Sequence, residues 1–555
     1  MLEAPNVVAG EQAVPADTRR DAGQQLPRLK GSRLGHPHRR SALTGLAAVV
    51  AVAIVYCCVL REASTVTTES DAASFALQGW AMTHGNLLLH SWRLADVSFY
   101  TIDLPVYAIG VLVVGLRPDV VPACAAAVFT ILVVLACAAA RGRSRGLAGA
   151  AAVLLTAAVM AGPAVRVGGV LLSTPDHTGT ALVPLAMALV IDRAGRGWRA
   201  GVLVCAVLAW GLVADSLVLL IGVIPVVVVC LARACRDRAA RPELALAGGA
   251  VASVAVFAVV KAVIRLLGGW QLDGSGHQFT QGRDLADNLG GTLQDVLNLF
   301  SASPLGQSAS GPGLILVAIH LALFSLVASA CWIALRRLFW NGDLVAVLLA
   351  SGIVANLAAY TLLYVTGPPT GQDIAPVFGM GAALAGRVLG GPLARSWQGR
   401  PAWPLLAAWA AVILAVAVPP LVTARPVPPA NAALATWLTG HGLRSGIAQY
   451  WQANSVTLDS HGSITMRDVW DYGPAGGIRP YPWEENTSLL DPQHNYANFV
   501  IAAAHSGLTR PAIERRFGLP ARVYQVGTFT VLLYDRNLMP DIASLPAPSP
   551  GPIGL

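Results

Sequence analysis

Two carboxylates stand two residues apart in Thr68-Glu69-Ser70-Asp71, at the head of a stretch rich in Ala, Leu and Met. A carboxylate placed there and partly desolvated can take a proton from a hydroxyl as a general base, or ligate a metal. Acidic residues at a helix start are also stabilised by the helix dipole with no chemistry attached, and the spacing alone leaves both readings open. The same segment continues through His84-Gly85-Asn86 to Ser91-Trp92.

A second polar group lies in Ser173-Thr174-Pro175-Asp176-His177-Thr178-Gly179. Asp176 and His177 side by side could orient a hydroxyl or a pyrophosphate-bound metal, while Pro and Asp also serve as ordinary turn and cap residues. Asp215 interrupts an apolar run from Ala200 to Leu231. A lone carboxylate in such a run costs energy unless it is paired or faces water, so it marks a site or a helix break. Lys261 and Arg265 are four apart and share one helical face. They could hold a lipid-linked phosphate, or simply snorkel to headgroups. Gln372 and Asp373 precede another apolar run, where a cap and a substrate contact are both open. Tyr450 and Trp451 could stack on a sugar ring or pack a small core.

The elements that carry these residues are those of a membrane protein. The chain of 555 residues is 55% hydrophobic and 12% charged, with a mean hydropathy of +0.59, outside the range of soluble domains. Runs long enough to cross about 30 Å of hydrocarbon recur from Ser41 to about Thr423, and a lipid-facing backbone must satisfy its own hydrogen bonds, so these runs are helices. We expect an α-helical polytopic protein of about eleven spans, near 42–60, 119–140, 147–165, 177–192, 200–213, 216–232, 243–267, 312–335, 343–365, 374–390 and 403–423. Pro105 to Leu116 is too short to cross and is assigned as an interfacial or re-entrant helix. Ala200 to Leu231 is too long for one span and must break at Asp215.

Arginines fix the orientation. They cluster at 141–145, 193–199, 233–241, 336–337 and 387–400, whereas the alternate loops carry only scattered ones. The positive-inside rule then puts the N-terminus in the cytoplasm and the end of the chain outside. Three parts follow: a basic cytoplasmic tail at 1–41, a membrane region at 42–423 with long outside loops 61–118 and 268–311, and an extracytoplasmic soluble domain at 424–555. In that last part, helix-like stretches near 431–454 and strand-like runs at 463–469, 497–503 and 521–535, the last a hairpin turning at Gly527, predict a small α/β or α+β domain. The formal charge of +8 is spread over loops and tail, which argues against nucleic acid. All eight cysteines lie in or beside the apolar runs without metal-ligand spacing, and only Lys30 and Lys261 are lysines, a bias of GC-rich bacterial genomes. No P-loop, Rossmann fingerprint, HExxH or nucleophile elbow occurs in a fitting context.

An acid in a long first outside loop, the Gly85-Asn86 and Trp92 cluster, polar motifs at later outer span ends and a C-terminal outer domain form a layout that resembles the GT-C class of membrane glycosyltransferases. That class includes protein mannosyltransferases and lipid-A aminoarabinose transferases, and Gly442 to Trp451 looks like the start of the outer domain in actinobacterial members. The resemblance implies a polyprenyl-phosphate sugar donor, a cell-envelope glycan, lipid or protein acceptor, and action at the extracytoplasmic face of the plasma membrane. It implies Asp71 or Glu69 as base or as ligand of a divalent cation (Mg or Mn), with Asp176, His177 and Asp215 lining the same cavity. Lys261 and Arg265 are then expected near the donor phosphate, and Trp92, Tyr450, Trp451, Gln372 and Asp373 near acceptor or sugar. Two other classes stay open: a transporter or flippase, which would use membrane carboxylates to move protons or substrate, and a non-catalytic glycan-binding membrane protein.

Overall fold

The computed structural model describes residues 37–161, 170–172, 177–195, 197–236, 241–272, 279–304, 311–338, 342–363, 371–503 and 507–543. Two units are distinguished, Met1–Ala51 and Val52–Leu555, and apart from the start of the first helix the second carries all that follows.

Helices occupy every expected span. They are α1 (Pro37–Ala63), α4 (Val120–Arg141), α5 (Gly146–Met160), α6 (Leu182–Ala194), α7 (Trp198–Ala214), α8 (Leu219–Ala234), α9 (Arg241–Leu266), α11 (Gly311–Arg336), α12 (Leu344–Leu362), α13 (Ala375–Ser396) and α14 (Trp403–Thr423). Among the described residues, seven helices are long and apolar enough to cross a membrane. The apolar side chains they expose, such as Val202, Leu203, Val259 and Leu314, suit a lipid solvent. Between them lie α2 (Ser70–Thr83), α3 (Leu104–Val114) and α10 (Leu285–Leu299). At 11 residues, α3 reaches only about 16 Å and cannot cross.

The break expected at Asp215 is present. Asp215 ends α7 with an extended backbone, and α8 opens with a π-helical turn at Leu219–Val223. The span expected from 177 instead begins at Leu182, after a 3₁₀ turn at Gly179–Ala181. His177 has φ +48°, a conformation no helix accommodates, so the polar residues here form a turn. Helices α7 and α9 cross with backbones nearly touching, because a Cβ on Gly249 would fall 2.1 Å from the Gly201 carbonyl oxygen.

The C-terminal region is a mixed sheet with the order β5 (Ile478–Pro480), β4 (Thr465–Asp471), β3 (Ser445–Gln449), β7 (Phe499–Ala503), β9 (Phe529–Leu533), β8 (Arg522–Val526). The three central strands are parallel and the edges antiparallel. Ile447, Val500 and Leu532 face α17 (Arg510–Phe517), and Ala448, Ile501 and Val531 face α15 (Ala432–Gly440) and α16 (Tyr450–Asp459). Strands β4, β7 and the β8–β9 hairpin match the expectation, with Gly527 in the turn at φ +59°. The helix-like stretches near 431–454 are α15 and the start of α16, with the unexpected strand β3 between them. Ser-Gly-Ile-Ala-Gln shows no alternation because β3 is buried on both faces. It carries Gly446 because a Cβ there would lie 2.2 Å from the Phe499 ring.

A second, three-stranded sheet ties distant parts of the chain together. Strand β1 (Trp92–Leu94) pairs in parallel with β2 (Gln271–Leu272) and antiparallel with β6 (Glu485–Asn486). The 61–118 and 268–311 segments are thereby sewn to the C-terminal region beside α2.

Candidate active site

Helix α2 begins where its neighbours need it. Glu69 is its N-cap residue, with an extended backbone and no side-chain cap bond, and Asp71 sits in the first turn. Three contacts fix this end of α2 to the C-terminal sheet. The Ser70 hydroxyl donates to the Tyr450 carbonyl at 2.5 Å, the Ser74 hydroxyl to the Glu484 carbonyl at 3.0 Å, and the Tyr450 hydroxyl to Asp71 Oδ1. The same hydroxyl lies 3.1 Å from Glu484 Oε2. Asp71 is half-buried. Desolvation raises its carboxyl above the ordinary range and the Tyr450 bond opposes that rise. Glu69 is exposed at its surface yet also raised, by desolvation and then by the Asp71 charge.

Behind Tyr450 lies a set of acids that sequence reasoning missed. Asp468 is 1% exposed and Glu485 2%. Among the described residues, both Asp468 oxygens and Glu485 Oε2 are buried without a hydrogen-bond partner. Burial, reinforced by Glu485 and Glu484, pushes Asp468 well above the carboxylate range, and burial pushes Glu485 up to about 8. Burial thus biases both carboxyls toward their neutral form. Their only signal in the sequence is the adjacent pair Glu484-Glu485 after Pro482-Trp483.

The second polar group assembles from three separate segments. His177 Nδ1 lies 2.6 Å from Asp215 Oδ2, and His177 Nε2 lies 3.2 Å from Asp373 Oδ1. The Thr180 hydroxyl also donates to Asp215, whose Oδ1 accepts from the Leu217 amide at 2.8 Å. Asp215 therefore stops a helix and holds a histidine at once. Burial alone would lower the His177 pKa, but the charge and hydrogen bond of Asp215, joined by Asp373, raise it well above the ordinary value. Gly179 is required here, because a Cβ would fall 2.5 Å from both oxygens of buried Asp103. Asn356 supports the third segment by donating to the Asp373 carbonyl at 3.0 Å, and the Tyr360 hydroxyl donates to Asp295 at 3.0 Å.

A run of aromatic rings joins the two groups. Phe75, one turn after Asp71, lies 5.6 Å from Phe99, and Phe99 lies 5.6 Å from the His177 ring. His177, Asp215 and Asp373 are in direct contact, Asp71 is tied to His177 only through these rings, and Gln372 shares the Asp373 turn. Lys261 and Arg265 form no ion pair among the described residues: the Lys261 ammonium lies 5.8 Å from the Phe257 ring centroid, and Arg265 is exposed. Trp92 is buried at 6% exposure in the apolar cluster with Phe75, Leu94 and Phe99. Tyr450, 3% exposed, packs edge-on against Trp451 and Tyr481, with Trp451 half-buried beside it. Asp176 lies outside the described residues. No group of three or more His, Cys, Asp or Glu is arranged to hold a metal among the described residues, and Asp71 already gives one oxygen to Tyr450.

The fold has a counterpart among solved structures. The crystal structure of ArnT from Cupriavidus metallidurans bound to undecaprenyl phosphate superposes with a TM-score of 0.52 at 14% identity, covering 90% of this chain and 99% of that one. The chain shares the fold of ArnT. An Archaeoglobus fulgidus oligosaccharyltransferase tethered with an acceptor peptide aligns at a TM-score of 0.46 and 12% identity, over 89% of this chain and 74% of that one. No family model and no curated protein matches the sequence. The likeness is thus to the fold of ArnT, at low identity and over nearly its whole length, and the chain is a multi-pass membrane protein.

Proposed function

We propose that this chain transfers a sugar from a polyprenyl-phosphate donor to a hydroxyl of a cell-envelope acceptor, on the extracytoplasmic face of the plasma membrane. The observation that carries the reading is Asp71: a half-buried carboxylate at a helix start, fixed by Tyr450 and left with one oxygen free of that bond. Such a group is a general base in waiting.

In the reaction, the acceptor oxygen attacks C1 of the sugar as the bond from C1 to the phosphate oxygen breaks. The acceptor proton passes to Asp71 and polyprenyl phosphate leaves. The undecaprenyl phosphate bound to ArnT supports this donor class. His177, charged and backed by Asp215, together with Lys261 and Arg265, would attract the donor phosphate. Asp373, with a side chain 62% exposed, and Gln372 offer polar atoms to sugar or acceptor hydroxyls. The actinobacterial affinity rests on Gly442 to Trp451 alone.

The arginine pattern supports an outside location for Asp71 and the C-terminal sheet. A reporter fused in the connector after residue 424 tests it: activity specific to the outer compartment is expected, and a cytosolic signal removes the proposed donor route.

A further inference from the structure

Tyr450 has a position that neither sugar stacking nor simple packing requires. Its ring is enclosed by Trp451 and Tyr481, at centroid distances of 5.2 and 5.5 Å, so no face is open to a ligand. Its hydroxyl is the only polar atom of the side chain and lies between two carboxylates, Asp71 and Glu484. One hydroxyl carries one proton, and the shorter of the two contacts is with Asp71. The backbone is held as firmly: Ser70, next to Asp71, donates to the Tyr450 carbonyl at 2.5 Å. Tyr450 opens α16 directly after β3, the central strand of the parallel set, so the C-terminal end of that strand delivers the hydroxyl to α2. Crevices at such strand ends are where open α/β sheets bind ligands, and here the start of α2 fills the place.

We propose that Tyr450 is a positioning residue for the reaction: its hydroxyl holds the Asp71 carboxyl in place, which makes the C-terminal sheet part of the catalytic apparatus. The inference rests on the transferase reading for its consequence, but the coupling between the two side chains can be measured without turnover. Asp71 is faced by Glu69 on its own helix, by Tyr450 from α16 and by Tyr481 from the sheet region; Glu484 and Asp468 face the Tyr450 hydroxyl, with Glu485 beside Asp468. Burial disfavours the charge on Asp71, and the Tyr450 donation opposes that effect.

The test uses the purified full-length chain in lipid nanodiscs. The infrared carbonyl stretch of protonated Asp71, assigned by its absence in Asp71→Asn, is followed against pH, and the acid limb of the transfer rate is measured in parallel. In Tyr450→Phe both midpoints should rise by about one pH unit, the worth of one hydrogen bond to a charged acceptor, with the KM for donor unchanged. Replacing Tyr450 by 3,5-difluorotyrosine, a stronger donor of the same shape, should move both midpoints down. Tyr481→Phe, which keeps the ring packing, should leave them in place. Equal midpoints in wild type and Tyr450→Phe, or no downward movement with the fluorinated residue, overturn the inference. If wild type transfers no sugar, the infrared titration still decides the Tyr450 to Asp71 coupling, and only the transferase reading fails.

Discussion

His177 and Asp215 meet across 38 residues of sequence, with Nδ1 of the ring 2.6 Å from a carboxylate oxygen of a fully buried side chain. The pair explains why an acid is tolerated between two apolar helices: a charge taken out of water is stable only with a partner. The other ring nitrogen reaches Asp373, whose side chain is exposed. A cation is thus held from behind by a buried acid and presented toward an open one.

This arrangement has a pH signature. The folded pKa of His177 stands above 6.5, so its contribution to stability is complete below that pH and is lost as pH rises through the raised value. Asp215→Asn leaves burial opposed only by Asp373. Thermal unfolding of the detergent-solubilised variant, followed from neutral to alkaline pH, should lose the His177 contribution at lower pH than wild type. An unchanged profile would show that the imidazole is neutral in the folded chain.

The buried acids of the C-terminal sheet carry the opposite kind of residue but the same sign. Glu485 titrates at about 8 when folded against 4.5 when unfolded, so the folded chain binds the extra proton between those values. Its contribution is complete below about pH 4.5 and disappears as pH rises through about 8. Glu485→Gln should flatten this decline, leaving the variant more stable than wild type at alkaline pH. Melting temperatures across the same range check it, and a slope identical to wild type would contradict it.

Much of this architecture could be read from the residues. Apolar run lengths located the helices, the shortness of Pro105 to Leu116 excluded a crossing, and Asp215 marked a real break. What was legible about the site was local: an acid at a helix start, a histidine before one span, an acid before another. What was not legible was pairing over long separations. Nothing near Tyr450 announces a partner 379 residues earlier, and nothing near Asp103 announces Gly179. Strand β3 escaped for a different reason, since burial on both faces erases the alternation by which strands are recognised. Trp92 had the aromatic character expected of a sugar contact, but its place in a strand between β2 and β6 turns the ring into the core.

At the opposite ends of the helices, Arg387 of α13 is saturated. Its guanidinium donates to both oxygens of Asp192, at 2.7 and 2.8 Å, to both oxygens of Asp343 and to the Ala139 carbonyl at 2.8 Å. Loss of one member of a buried ionic group costs about 3–5 kcal/mol, because its partners are left as unpaired charges. Arg387→Leu should therefore lower the melting temperature strongly, and Arg387→Lys should rescue little, since an ammonium cannot form the two forks. Wild-type stability in Arg387→Lys would show that charge alone, without the fork geometry, holds these helices.

The central claim is that Asp71 is the base of a lipid-linked sugar transfer. It is tested most directly by reconstituting wild type and Asp71→Asn in liposomes with a radiolabelled sugar on undecaprenyl phosphate and cell-envelope acceptor, and measuring undecaprenyl phosphate release together with label on the acceptor. The account predicts transfer by wild type and a rate lower by about 10²–10⁴-fold in the variant, the usual worth of a general base, with no loss of thermal stability. Equal transfer by the two proteins, or a wild type that consumes no donor, would contradict it.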